Sequence, residues 1–242
     1  MSQLKIDAVY LDPDKVVETT ELLARRINER FPQAGLNQVC AQLLQLSRSA
    51  KQRSAAIARP LYGIRLLSGM FVGLILTAFV GILSSLDLKR FSELESKDLI
   101  QVLDSGFQTL LLIGATLLFL ITLERRIKRN RALKAIHELR AISHIVDMHQ
   151  LTKDPERLIT SGPDTASSPK RTMTRFQLYR YLDYCSEMLS LAGKLAALYV
   201  QNFEDTEAVS AVNDLEDLTS GLSRKIWQKI MMLQTAPEKE PT

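Results

Sequence analysis

His137, His144 and His149 are the only histidines of the 242-residue chain. They fall in one stretch, HELRAISHIVDMH, together with Glu138 and Asp147. Imidazoles and carboxylates are common zinc ligands and common general acids and bases, so their crowding raises the question of a metal or acid–base site. Helical geometry answers it. At about 100° and about 1.5 Å per residue, His137 and His144 share a stripe but stand roughly 10 Å apart along the axis, too far to hold one ion together. His149 points roughly 140° away from His144. The HExxH arrangement places two imidazoles one turn apart on one metal, whereas the near neighbours here are His144 and Asp147, which suit a hydrogen bond or a weak ion pair. Glu138 and His149 fall on the side of Leu139, Ile142 and Ile145, where a polar contact inside a helix interface is expected. Glu138, His144, Asp147 and His149 are therefore read as a polar interface, with no metal, no cofactor and no catalytic residue.

The remaining chemistry-bearing residues give no stronger signal. There is no glycine-rich phosphate loop, no nucleophile elbow and no pair of carboxylates placed for catalysis, so the chain is read as a non-enzyme. Cys40 and Cys185 lie far apart, each within an apolar helical pattern, and are expected as core thiols rather than a disulfide or a zinc site. RFQLYRYLDYC interleaves rings with Arg175 and Arg180, a pattern able to stack on nucleic acid. Asp183 and Glu187 dilute it, and nucleic acid is not the expected partner. SRKIWQKIMM sets Trp227 between Lys225 and Lys229 like a membrane-surface segment; packing of Trp227 into a helical bundle is the preferred reading.

The elements that must position these residues are helical. Apolar residues recur with helical period, Gly and Pro are sparse, and 46% of the chain is apolar, so the class is all-α. LKIDAVYL near the start is the one strand-like segment, with no second strand to join.

Two apolar runs dominate the middle of the chain. Neither LLSGMFVGLILTAFVGILSSL (Leu66 to Leu86) nor GFQTLLLIGATLLFLITL (Gly106 to Leu123) carries a charge, and roughly 20 apolar residues span the ~30 Å hydrocarbon core as a helix. They are read as a two-span membrane hairpin. Arg48, Lys51, Arg53, Arg59 and Arg65 precede the first run, and Arg125, Arg126, Lys128, Arg129, Arg131 and Lys134 follow the second. The formal net charge of +4 is thus concentrated on one side, while the connection 87–105 is more acidic than basic. Lys and Arg accumulate on the cytoplasmic side, so both termini are expected there, in a multi-pass protein of a bacterial cytoplasmic (inner) membrane. The start of the chain lacks the features of a signal peptide. Phe91, Leu94 and Leu99 in the connection predict a short amphipathic helix at the outer surface.

Within the first run, Gly69, Gly73, Thr77, Gly81 and Ser85 recur every fourth residue and form a ribbon of small side chains. Such a ribbon lets another helix approach closely. The second span of the hairpin and a second copy of the chain are equally good occupants. No ionisable residue lies within either run, which removes the proton relays and coupling residues of transporters.

Outside the hairpin, residues 1–65 predict two helices. One starts at Asp12-Pro13, with an N-cap and a proline at its first position, and ends at Pro32; the next runs from Leu36 to Ala58. After the second run no Gly or Pro occurs before Pro155, so that helix is expected to continue to about Gln150 as a cytoplasmic stalk, 124–152. A mobile linker, 153–173, precedes a coiled-coil-like antiparallel pair over 174–233, and 234–242 reads as a disordered tail. The first helix of the pair carries two apolar seams, one through Leu178, Leu182, Cys185 and Leu189 and one through Tyr181, Tyr184, Met188 and Leu191. Two seams require more than one packing partner. The expected whole is a membrane anchor or scaffold whose cytoplasmic bundle, built from the N- and C-terminal segments, mediates protein–protein interaction or signalling. A homo-oligomeric effector or channel gated by that bundle is the second reading, and a metal-dependent membrane enzyme the third. Membrane lipid, a second copy of the chain and a protein partner are the expected contacts.

Overall fold

A computed structural model describes residues 10–85, 96–155, 165–168 and 173–235. All regular structure among them is helical, with no strand. Six helices follow in order: α1 (Pro13–Arg30), α2 (Gly35–Ala58), α3 (Tyr62–Ser85), α4 (Ser96–Leu151), α5 (Arg175–Val200) and α6 (Thr206–Thr235). The chain divides into two compact units, one of residues 1–58 and 131–242 and one of residues 59–130.

Local chemistry explains where the helices of the first unit begin. Asp12 caps α1 by accepting from the Asp14 N–H at 2.9 Å, with Pro13 in the first turn, where its missing N–H costs nothing. Thr174 and Gln177 form a reciprocal capping box at the start of α5: Thr174 Oγ1 accepts from the Gln177 N–H and Gln177 Oε1 accepts from the Thr174 N–H. Asp205, buried between α5 and α6, accepts from the Ala208 N–H at 3.2 Å. The turn before it is only a few residues long, and α6 packs along α5, with Thr219 lying over Gly193.

One continuous core serves this unit. Leu23 and Ile27 of α1, Leu36 and Leu43 of α2, Ile136 and Leu139 of α4, and Leu182 and Leu189 of α5 are all buried in it with Ile226 of α6. Both seams of α5 are buried because α1, α2 and α6 all pack against that helix. Phe31 closes one end, edge-on to Tyr181 at 5.5 Å and to Tyr184 at 6.3 Å. Ion pairs Arg48–Glu21 and Lys51–Asp14, each 2.7 Å, join α2 to α1 at the surface, where such pairs contribute little beyond orientation.

Three expectations need correction here. The segment 124–152 is not a free stalk: Ala132, Ala135, Ile136, Leu139, Ile142 and Val146 are buried in the core, so from Arg131 onward α4 is a bundle helix. Residues 96–105, assigned from sequence to the connection, are the first turns of α4. Trp227 is not packed inside the bundle; it is 51% exposed and lines a groove with Leu11, Val16 and Leu191. The strand-like segment falls mostly outside the described residues, as do Phe91, Leu94, most of the linker and nearly all of the tail.

The second unit contains α3 and the first part of α4, through Asn130. Both are long and apolar enough to cross a membrane. Their side chains are not folded into a core: Leu66 is 70% exposed, Ile121 is 72% exposed, and Met70, Leu74, Leu110 and Leu118 are likewise exposed.

Candidate functional site

The histidine-rich segment forms the last turns of α4, and its polar residues go to separate contacts. Glu138 Oε2 accepts from Arg53 Nη1 of α2 at 2.5 Å. His144 is exposed, and Asp147 does not pair with it; Asp147 Oδ1 accepts instead from Gln150 Nε2 at 2.6 Å. His149 is half-buried with its ring above Gly35, so close that a Cβ at position 35 would overlap the imidazole. A side chain at position 35 would require the half-buried imidazole to move aside. His149 also lines a pocket of about 400 Å³ with Phe31, Lys153, Gln177 and Tyr181. Lys153 lies over the Tyr181 ring at 5.6 Å. Among the described residues no three His, Cys, Asp or Glu side chains come together in a way that could hold a metal. The four interface candidates do not converge: Glu138 and His149 reach α2, Asp147 bonds within α4 and His144 is exposed.

Two participants were not singled out from sequence. Gln150 is buried, and both its backbone carbonyl and its Oε1 accept from Lys229 Nζ of α6, at 3.1 and 2.7 Å. Asp147, Gln150 and Lys229 therefore make a polar chain between α4 and α6. Burial holds the Lys229 amine below its usual range, with Asp154 and Asp147 opposing that effect. The spacing of Asp147 and Gln150 was the available signal, but nothing in α6 marked Lys229 as the cation that turns inward.

Two of the rings near the start of α5, and Arg180 among its basic residues, are engaged in contacts within the bundle. Tyr181 and Tyr184 are buried, Arg180 donates to Asp183 at 2.6 Å and stacks over Tyr184 at 4.8 Å, and Arg26 donates to Glu187. Phe176 is exposed, with Arg30 over its ring at 5.2 Å. Cys40 and Cys185 are buried thiols; burial pushes Cys40 up to about 12 and raises Cys185 as well.

In the apolar unit the sequence-derived ribbon is open. A Cβ placed on Gly69, Gly73 or Gly81 would meet nothing within 4 Å. Thr77 turns its hydroxyl back to the Gly73 carbonyl at 2.8 Å, while the Ser85 side chain lies outside the described set. A polar cluster in this unit joins the two ends of its sequence. Glu124, just past the second apolar run, accepts from Arg65 Nε at 2.6 Å and Nη2 at 3.3 Å, from Lys128 Nζ at 3.0 Å and from the Leu61 N–H at 3.3 Å. Lys128 follows Glu124 by one turn, the natural spacing for a helical ion pair. Charge at both ends of the apolar runs was visible in the sequence, but the role of Glu124 as the shared acceptor was not.

No family model matches the chain, and neither a curated protein nor a solved structure is significantly similar to it.

Proposed function

We propose that the protein is an integral membrane anchor or scaffold, in which α3 and the first half of α4 form a membrane hairpin and the helical bundle is an interaction module on the cytoplasmic face. The observation that carries this reading is the contrast between the two units. One buries a full apolar core, while the other carries two helices with long uncharged apolar runs, and large side chains of both, Leu66, Leu74, Leu110 and Ile121 among them, are exposed. Exposure on that scale is stable only in lipid or against other protein. Glu124 supports the hairpin arrangement: its bonds to Arg65 and to Leu61 N–H set the beginning of the first run beside the end of the second. The basic blocks on those two ends favour a cytoplasmic location for them and for the bundle.

The decisive experiment for the scaffold role is the mass of the native complex, extracted gently with surrounding lipid, with every chain identified. A second protein at fixed stoichiometry is the expected result. A lone monomer would contradict the scaffold role. The open ribbon at Gly69, Gly73 and Gly81 favours a second reading, a homo-oligomeric effector or channel assembled along α3. A defined homo-oligomer that falls apart in Gly73→Leu would establish that reading, and one unaffected by Gly73→Leu would remove the ribbon as its interface.

A further inference from the structure

A pocket of about 350 Å³ opens in the bundle between the last turns of α2 and residues 131–138 of α4. Its floor is apolar, made by buried Ile57 and Ala135, with exposed Ala56 at its edge. Its rim is charged. Arg53, Arg131 and Lys134 stand around it with a single carboxylate, Glu138, which is committed to Arg53. Arg131 and Lys134 are exposed and, among the described residues, have no hydrogen-bond or ion-pair partner. They are one turn apart on α4, which makes them neighbours on its surface. Three cations and one carboxylate leave the pocket positive above an apolar floor.

That combination selects an anion with an apolar or weakly polar attachment. A guanidinium and an ammonium converging on one space suit a group with several charged oxygens, and phosphate offers more acceptor positions than a carboxylate. Covalent connectivity adds a second consideration. The apolar unit, 59–130, is joined to the bundle through the two segments that line this pocket, since Arg53 lies just before that unit and Arg131 immediately follows it. Basic pockets next to membrane segments are where phosphorylated headgroups bind. We propose that this pocket binds a phosphate group, carried by an anionic phospholipid or by a free phosphate ester, through Arg131 and Lys134, with the Arg53–Glu138 pair as its third wall.

The full-length protein in lipid nanodiscs provides the test, with two arms to separate the sources. In one, discs of phosphatidylcholine containing phosphatidylglycerol are used and the lipid retained by the protein is counted by native mass spectrometry. In the other, discs of phosphatidylcholine alone are titrated with glycerol phosphate, an arm that stands whether or not the apolar unit spans a bilayer. Saturable binding in the first arm assigns a lipid headgroup, and in the second a soluble ester. Arg131→Gln with Lys134→Gln should weaken that binding by about tenfold or more, as loss of charge-assisted hydrogen bonds does. Arg59→Gln with Arg126→Gln removes the same charge outside the pocket and should change it less than about twofold. Ala56→Phe, which fills the pocket and keeps every charge, should also abolish binding. Equal losses in the two double variants would reduce the effect to general electrostatics and overturn the proposal. Retention of binding in Ala56→Phe, or no saturable binding in either arm, would overturn it as well.

Discussion

Lys229 shows how a single inward-turned side chain ties two helices. Its amine donates to two oxygens of buried Gln150, and replacement by Met, similar in length but without donors, leaves Gln150 Oε1 unsatisfied while the Gln150 carbonyl keeps the Lys153 N–H. Lys229→Met is expected to destabilise the protein by about 1–3 kcal/mol, measured by denaturant unfolding of the detergent-solubilised chain. The pH dependence has a definite sign. A lysine held below its ordinary value of 10.5 binds its proton less readily in the native state than in the unfolded one, so its contribution to stability improves as pH rises toward 10.5. The advantage of the wild type over Lys229→Met should therefore widen with pH in that window; a constant difference would contradict the assigned cause. The thiols offer a second check. With Cys40 pushed up to about 12 by burial and Cys185 buried alongside it, neither should react with iodoacetamide at pH 8 in the native protein, and both should after denaturation, as read by mass spectrometry. Rapid native labelling of either would show that its surroundings open.

The ends of the helices are where local sequence speaks most clearly. Asp12 and Thr174 are side chains that satisfy free backbone N–H groups, and both were legible as starts because capping depends on residues within one turn. Thr174→Ala removes one half of the capping box and should cost about 0.5–2 kcal/mol in the same unfolding measurement, with Thr174→Ser restoring most of it. The double seam of α5 was legible too, since burial of both rows requires several neighbours and α1, α2 and α6 supply them. What sequence could not give was the partner of each polar residue. Glu138 looked like a member of a histidine cluster, but its cation comes from Arg53, far away in the chain; Asp147 is next to His144 on the helix, yet it turns to Gln150. Spacing along one helix says which side chains are close. It does not say which neighbouring helix offers the better contact. Trp227 illustrates the same limit: its pattern allowed a buried or a surface place, and the packing of α6 on α5 leaves it half exposed.

At the scale of the molecule, the apolar runs were the strongest signal, because a long uncharged stretch is recorded in composition alone. Their separation from the bundle was less legible. Along α4 the uncharged run ends at Leu123 and a basic block follows it, but nothing in that block marks Arg131 as the point from which the helix is built into the core; burial shows that. One unbroken helix, α4, contributes residues to both units. The open glycine ribbon remains available to another helix, and Gly73→Leu separates the oligomeric reading from the scaffold.

The central claim, a two-span hairpin with the bundle on one side, is tested most directly by sided labelling in sealed vesicles. Ser105→Cys near the connection, Lys51→Cys in α2 and Arg224→Cys in α6 place single thiols at exposed positions, and the native cysteines are buried and should stay silent. A membrane-impermeant maleimide should reach Ser105→Cys from one face only, and Lys51→Cys and Arg224→Cys only from the other. Labelling of all three from the same face, or removal of the protein from the vesicles by an alkaline wash, would contradict the hairpin.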